Sequence, residues 1–224
     1  MKEENIHKFE KPSVTVDIVI FTIKNNDLKV LLVKRNLEPF KNMWAIPGGF
    51  VRINESLEQA AKRELKEETG VSDVYLEQLY SFGDVNRDPR GRVITISYFA
   101  LLNSDEIKLR ATTDVSEAKW FSVKEIPKLA FDHEEILNYA IKRLKWKFEY
   151  TTIAFSFLPE KFTLTQLQKI YEFVFEKEFD KRNFRKKILL LNILKKEKID
   201  KQVSHRPPQL YSLKKKIKEI IEIV

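Results

Sequence analysis

Glu64, Glu67 and Glu68 fall at i, i+3 and i+4, the spacing that brings side chains onto one face of a helix, and they lie in a stretch, 55–69, that reads as helical and stops at Gly70. At about 100° per residue the same face carries Leu57, Ala60 and Ala61, while Glu58, Gln59, Lys62 and Lys66 fall opposite. Three carboxylates are therefore expected to turn toward the body of the protein and the solvated charges away from it. Like charges gathered beside apolar neighbours repel and are costly to bury, and a divalent cation removes that cost. Hard oxygen donors at this spacing suit Mg²⁺ or Mn²⁺, with water filling the remaining positions. Such a cation neutralises a pyrophosphate, polarises phosphorus and lowers the pKa of an attacking water. The expected metal set is Gly49, Glu64, Glu67 and Glu68, and the expected catalytic set is Arg63, Glu64, Glu67 and Glu68. Arg63 is placed to brace the carboxylates through its fork of N–H groups. Gly48 and Gly49 let backbone, including a carbonyl, come close to the metal.

Basic side chains for an anionic substrate are found elsewhere. Arg87-Asp88-Pro89-Arg90-Gly91-Arg92 sets three arginines on a turn, and Arg35 follows a β-branched run. Guanidinium forks match diphosphate oxygens, so Arg35, Arg87 and Arg90 are the expected substrate-binding residues; a solvated hairpin end accounts for the arginine loop equally well. Phe40, Trp44 and Phe82 are either base-stacking groups or core. For a catalytic base, Asp114 and Glu117 are candidates that the residues do not separate. The absence of cysteine excludes thiolate nucleophiles, disulfides and Cys-type zinc sites.

The elements that must position these groups are strands interrupted by helices. Residues 13–23 are β-branched and apolar, Asn25-Asn26-Asp27 is turn chemistry, and 29–34 completes a hairpin. Further strands are expected near 75–82, 92–102 and 119–121, and a helix over 132–147 with Ile136, Ala140 and Leu144 four residues apart. This pattern predicts an α/β (α+β) domain over residues 1–150. Residues 151–224 differ. Thr163 and Gln166 form a capping box, Leu167, Ile170, Tyr171 and Val174 share a helical face, Asp180 caps a second helix over 181–192, and Ile193-Leu194 with Gln209–Leu213 make a ribbon. Helix, turn, basic helix and ribbon predict a winged helix-turn-helix. Charge divides the same way. Residues 151–224 hold 17 Lys and Arg against 9 Asp and Glu, and the rest of the chain holds 24 against 24, so the whole net charge of +8 sits in the last third. A neutral unit joined to a basic one points to a small-molecule site joined to a polyanion-binding one. Lys181, Arg182, Asn183, Arg185 and Lys186 on the second tail helix, with Arg206 in the wing, are the expected DNA-binding residues, and Lys214–Lys216 and Lys218 add positive charge. The charged start MKEENIHKFEKPS is no signal peptide, and the apolar stretch Val14–Ile23 is too short for a membrane span, so a cytoplasmic protein is expected without a membrane partner.

Residues 49–71 run Gly49, five residues, Glu55, seven residues, then Arg63-Glu64-Leu65-Lys66-Glu67-Glu68-Thr69-Gly70-Val71, which matches the Nudix hydrolase motif without departure. With WAIPGGF at 44–50, SFGDVNRDPRGRV at 81–93, LAFDH at 129–133, the stretch 162–188 and RPPQLY at 206–211, nearly the whole chain resembles the Nudix-related transcriptional regulators, which include repressors of NAD metabolism. That resemblance implies a Nudix α/β/α sandwich followed by a winged helix, hydrolysis of a nucleoside diphosphate derivative, a homodimer on a palindromic double-stranded operator, and ADP-ribose or a similar effector in the cleft. Some relatives have decayed motifs and only sense ligand; this motif is intact. Two other readings fit the same residues: a plain Nudix pyrophosphatase whose tail serves dimerisation or substrate closure, and a repressor answering to a sugar or sugar phosphate with the motif a relic.

Overall fold

The computed structural model describes residues 10–70, 72, 74–102, 115–197 and 208–214. Val71, Asp114, Arg206, Lys215, Lys216 and Lys218, all singled out above, lie outside the described residues.

Strand β1 (Ser13–Lys24) is the spine of a seven-stranded mixed sheet. Its apolar run has no polar face because both sides are covered, as in any doubly buried strand. Asn25 and Asn26 both take the left-handed conformation (φ 55° and 59°), which asparagine tolerates better than most residues, and turn the chain into the antiparallel β2 (Asp27–Arg35). On its other edge β1 pairs in parallel with β6 (Val93–Leu102), with Ser13 opposite Val93. Strands β3 (Trp44–Ala45) and β7 (Val115–Ser122) pair with β2, β4 (Gly48–Phe50) with the start of β1, and β5 (Tyr75–Phe82) with β6.

Alternation along β1 sorts the two layers. Val16, Ile18 and Ile20 pack under helix α1 (Leu57–Thr69) against Ala60, Ala61 and Leu65. Val19 and Phe21 pack under helix α2 (His133–Tyr150) against Ile136, Leu137, Ala140 and Leu144. The result is the expected α/β/α sandwich. The expected strand at 119–121 is longer, running from Val115 to Ser122, because pairing with β2 rather than its own mixed composition decides its length.

The tail forms the expected winged helix. A 3-10 turn (Ile153–Phe157) leads to α3 (Leu164–Phe175), α4 (Lys181–Leu190) and an antiparallel ribbon of β8 (Leu194–Lys196) and β9 (Tyr211–Leu213). The Thr163–Gln166 capping box is present, and Asp180 accepts from the N–H of Asn183 at 2.8 Å. One apolar cluster runs from the sheet through α2 into α3 and α4. The segment between α2 and α3 is packed: Ile153, Ala154 and Phe157 are buried, and the backbone of Phe162 exchanges two hydrogen bonds with Tyr211.

Candidate functional site

Helix α1 starts at Ser56, whose hydroxyl and Gln59 form a reciprocal cap, and ends at Gly70 in the left-handed conformation (φ 72°) that glycine adopts without strain. These ends fix the rotation of the helix, and with it the carboxylates. Glu64 and Glu68 are buried while Glu67 stands at the rim, its side chain 46 % exposed. Arg63 ties Glu64 and Glu67 to Glu55. Its Nε and Nη2 donate to the two oxygens of Glu55 (2.9 and 2.6 Å), Nη1 donates to Glu64 Oε1 (2.5 Å) and lies 3.5 Å from Glu67, and Nη2 also reaches the Phe50 carbonyl at 3.2 Å. The hydrogen bonds from Arg63 hold the Glu55 carboxyl down at about pKa 2. Burial pushes the Glu64 carboxyl up, against the opposing pull of Arg63. A β-carbon at Gly49 would collide with the Glu64 carboxylate, and one at Gly48 with the Val16 carbonyl, so the Gly48-Gly49 backbone lies flush against the acidic face.

Gly48, Gly49, Arg63, Glu64, Glu67 and Glu68 line a cleft of ≈ 570 Å³. The same cleft is lined by the three arginines expected to bind substrate, in different settings. Arg90 is half-exposed, clamped by Asp88 at 2.7 Å, with its guanidinium between the rings of Phe50 (5.3 Å) and Phe131 (5.5 Å). Arg35 lies over Phe131 at 4.8 Å and donates to the Pro39 carbonyl at 2.9 Å. Arg87 is buried, its side chain only 4 % exposed, and gives two hydrogen bonds to Asp132 (2.8 and 2.7 Å) and one to Asp17 (3.4 Å). Burial works against the charge of Arg87, but the two aspartates more than offset it. At the base of the cleft His133 is buried. Its Nδ1 accepts the N–H of Ile46 at 2.9 Å, so the proton sits on Nε2, which lies 3.8 Å from Asp17. Burial holds the His133 pKa below the usual histidine value.

In the tail, Lys181, Arg182, Asn183, Lys186 and Lys187 are exposed on α4, while Phe184 and Ile188 turn into the core. Arg185 differs from its neighbours: it is half-buried and donates to Thr165 Oγ1 at 3.0 Å, tying α4 to the first turn of α3. Lys214 donates to the Asn192 carbonyl (2.6 Å) and side chain (2.7 Å) just beyond α4.

The NUDIX domain family matches residues 11–140, and the NrtR DNA-binding winged helix domain family matches residues 154–213. The chain belongs to the Nudix-related transcriptional regulators. Over 207 residues it is 37 % identical to an ADPR responsive transcriptional repressor, NtrR, of Acinetobacter baylyi, covering 91 % of this chain and 82 % of that one. It is 39 % identical over 150 residues to an ADP-ribose pyrophosphatase of Methanocaldococcus jannaschii, covering 66 % of this chain and 83 % of that one. Among solved structures, Shewanella oneidensis NrtR complexed with a 27mer DNA superposes with a TM-score of 0.77 at 36 % identity, covering 90 % and 93 % of the two chains. The NUDIX domain of the same protein complexed with ADP ribose gives 0.57 at 39 % identity, covering 63 % of this chain and 94 % of that one.

Within this Nudix frame the structure brings Arg63, Glu64, Glu67 and Glu68 to one cleft together with Gly49, Arg35, Arg87 and Arg90. Glu117 lies inside β7 opposite Lys34 and outside the cleft lining. Of the two roles open to Phe40, Trp44 and Phe82, base stacking or packing, the structure shows packing. Trp44 packs edge-on against Phe121, Phe82 is buried against Tyr80 and Tyr139, and Phe40 packs against Phe131. Phe50 and Phe131 are the rings that line the cleft. Three further groups stand at the site: Glu55, whose fixed place in the Nudix motif is itself the signal, His133, which ends the LAFDH segment, and Asp17, which carries no signal because β1 reads as a packing element.

Proposed function

We propose that this chain is a DNA-binding transcriptional regulator whose Nudix cleft binds ADP-ribose or a related nucleoside diphosphate, and cleaves it when a divalent cation is bound. The observation that carries this reading is that one continuous core holds both an acidic and arginine-walled cleft and an exposed basic helix. The names and bound molecules of the relatives point the same way. The two units meet at Tyr150, the end of α2.

Glu64, Glu67, Glu68 and the Gly49 backbone fit a hard divalent cation in donor chemistry, and the flush contact of Gly49 with Glu64 gathers the donors. Among the described residues no three carboxylates or imidazoles form a ready-made cage. Mg²⁺ does not need one, since it commonly binds through one or two carboxylates together with water and substrate phosphates. A bound Mg²⁺ or Mn²⁺ neutralises diphosphate charge and lowers the pKa of an attacking water. The protein's own work is to hold that arrangement. Arg63 fixes Glu64 and Glu55, Arg90 and Arg35 offer guanidinium forks to the diphosphate, and Phe50 and Phe131 bound the space beside them.

On the DNA side, Lys181, Arg182, Asn183 and Lys186 present donors to phosphates and base edges. One recognition helix reads only a few base pairs, so a homodimer on a palindromic operator supplies the second half-site. A protein reading both a nucleotide and a genomic operator works in the cytoplasm.

The test has two arms. Purified protein is titrated onto duplex DNA from its own upstream region with and without ADP-ribose, and AMP release from ADP-ribose is followed with Mg²⁺ for the wild type and Glu68→Gln. Specific binding that ADP-ribose weakens, and Mg²⁺-dependent release that Glu68→Gln reduces by orders of magnitude, are expected. Failure to bind DNA retires the regulator; absence of AMP release retires the hydrolase and leaves the sensor standing.

A further inference from the structure

Helix α2 begins in the cleft and ends in the winged helix. His133, its first residue, lines the cleft. At the other end Phe148 is buried against Tyr171, 5.2 Å between ring centroids, and the Tyr171 hydroxyl donates to the Phe148 carbonyl at 3.2 Å. Lys145 pairs with Glu176 at the end of α3 at 3.0 Å. Eighteen helical residues make a rod about 27 Å long, and its buried face packs against the sheet.

The residue just ahead of this rod is Asp132, at the N-cap. An aspartate there ordinarily accepts a hydrogen bond from the N–H two or three residues on. Of the four α-helices described, α1, α3 and α4 have such a side-chain cap, from Ser56, Thr163 and Asp180. Helix α2 has none, and Asp132 sits at φ −92°, ψ 19° instead of the extended conformation of a capping residue. Both oxygens of Asp132 are held by the buried Arg87. Arg87, which lines the cleft, is in turn shared with Asp17, so one guanidinium answers two carboxylates, of which Asp17 also lines the cleft.

A diphosphate entering that cleft competes for the same fork, since bidentate pairing with phosphate and with carboxylate uses the same N–H groups. We propose that Asp132 is a two-position switch that reports cleft occupancy to the winged helix. In the free protein Arg87 holds Asp132 off α2. When a diphosphate takes Arg87, Asp132 is released and its carboxylate turns back to cap the first turn of α2, taking the Glu135 N–H that now donates to the Asp132 carbonyl at 3.0 Å. The backbone at 132 moves to the capping conformation, the first turn of α2 reseats, and the helix carries the shift to Tyr171 and so to α3 and α4. The switch rests on the reading of the chain as a ligand-responsive regulator. It supplies what a coupling route requires: one element with two discrete arrangements, each favoured by a different site.

Linkage makes the test specific. Asp132→Asn and Asp132→Ser keep a good capping side chain but lose the ionic hold on Arg87. Both variants should behave as though ligand were already present. Operator affinity of the free protein should fall by about the five- to 150-fold typical of coupled sites, affinity for the α,β-methylene analogue of ADP-ribose should rise, and the effect of that analogue on operator binding should shrink toward none. Operator affinity is read by fluorescence anisotropy and ligand affinity by calorimetry, with thermal melting confirming that each variant is folded. Weaker operator binding together with tighter ligand binding is the signature, because loss of packing weakens both and removal of a negative charge alone tightens ligand without touching the operator. Variants that bind operator as the wild type does, or that lose affinity for both, overturn the switch. A wild type whose operator affinity ignores the analogue at saturation sinks the sensor reading itself, and that result is read before any variant is made.

Discussion

Gly49 and Glu64 share a space that leaves no room for a β-carbon: one built on Gly49 would collide with Glu64 Oε1 and lie 2.8 Å from its Cδ. The glycine is needed here for clearance, and the segment carrying it is held as β4 against β1. Gly49→Ala should therefore push the Glu64 carboxylate off Arg63 while leaving the packing of Ala60, Ala61 and Leu65 under the sheet intact. Loss of a group that positions a metal ligand typically costs about 10–100-fold in activity or metal affinity. AMP release at saturating Mg²⁺ should fall by that much with the far-ultraviolet circular dichroism unchanged. Wild-type rates in the variant would mean that Glu64 does not work from the position seen here.

Arg63→Lys separates two jobs of the guanidinium. A lysine ammonium is a point charge and cannot span Glu55 and Glu64 together. Glu55, held at about 2 against an ordinary 4.5, stabilises the fold fully above the ordinary value and loses that contribution as pH falls toward 2. Weakening the pair should move acid unfolding to higher pH. Glu64, already pushed up by burial, should rise further once the pull of Arg63 is reduced, so the acidic limb of the kcat/KM profile should also move to higher pH. An acidic limb that stays in place would remove Glu64 from the groups that control it.

His133 makes stability depend on pH in the opposite part of the scale. Its folded-state pKa lies below the ordinary 6.5 because burial disfavours the imidazolium. The unfolded chain therefore takes up a proton that the folded protein refuses, and stability drops as pH falls through about 6.5 toward the folded value. His133→Asn keeps an acceptor for the Ile46 N–H and removes the titration. Urea midpoints at pH 7.5 and 5.5 should differ less in the variant than in the wild type; equal differences would mean that other groups set the slope.

How far the site was legible in the sequence depended on the distance between partners. The face formed by Glu64, Glu67 and Glu68 follows from helical spacing within five residues, and the capping boxes that fix the ends of α1 and α3 are equally local. Arg87 was not legible as a buried residue. It stands in a segment with proline and glycine that reads as a solvated turn, and the aspartates that bury it are 70 and 45 residues away. The roles of Phe50 and Phe131 fail for the same reason, since only the fold brings both rings to Arg90. The 3-10 turn at 153–157 is too short for a periodicity to register, and the continuity of the core between the two units depends on pairs such as Phe148 and Tyr171, 23 residues apart.

The exposed cations of α4 should reveal themselves through salt. Each phosphate contact on duplex DNA adds about 0.9 to the slope of log affinity against log salt. Arg182→Ala and Lys186→Ala should each lower operator affinity and reduce that slope by about one, with thermal stability within the noise because both side chains face solvent. Arg185→Ala should also lower the melting temperature, since it removes the hydrogen bond to Thr165. A salt slope unchanged in both surface variants would place the phosphate contacts on another face.

The shared core makes the two units unfold together. Phe148 is fully buried in α2, and its ring meets Tyr171, Phe157 and Phe175 at centroid distances of 5.2, 6.0 and 6.3 Å. Its carbonyl lies in the last turn of α2, where carbonyls have no partner within the helix, and Tyr171 supplies the missing donor. Burial pushes the Tyr171 phenol up, so this donor keeps its proton across the working range of pH. Tyr171→Phe leaves the carbonyl unsatisfied at a cost of about 1–3 kcal/mol. Phe148→Ala removes a ring from the centre of the junction at a cost of about 3–5 kcal/mol. Calorimetry of the wild type should show one transition, with calorimetric and van't Hoff enthalpies in agreement. Phe148→Ala should lower that transition and, because the ring bridges α2 to Tyr171 and Phe175 of α3, begin to split it. Two resolved transitions in the wild type would show that the units fold independently, and would take away the rigid connection through which α2 is argued to act.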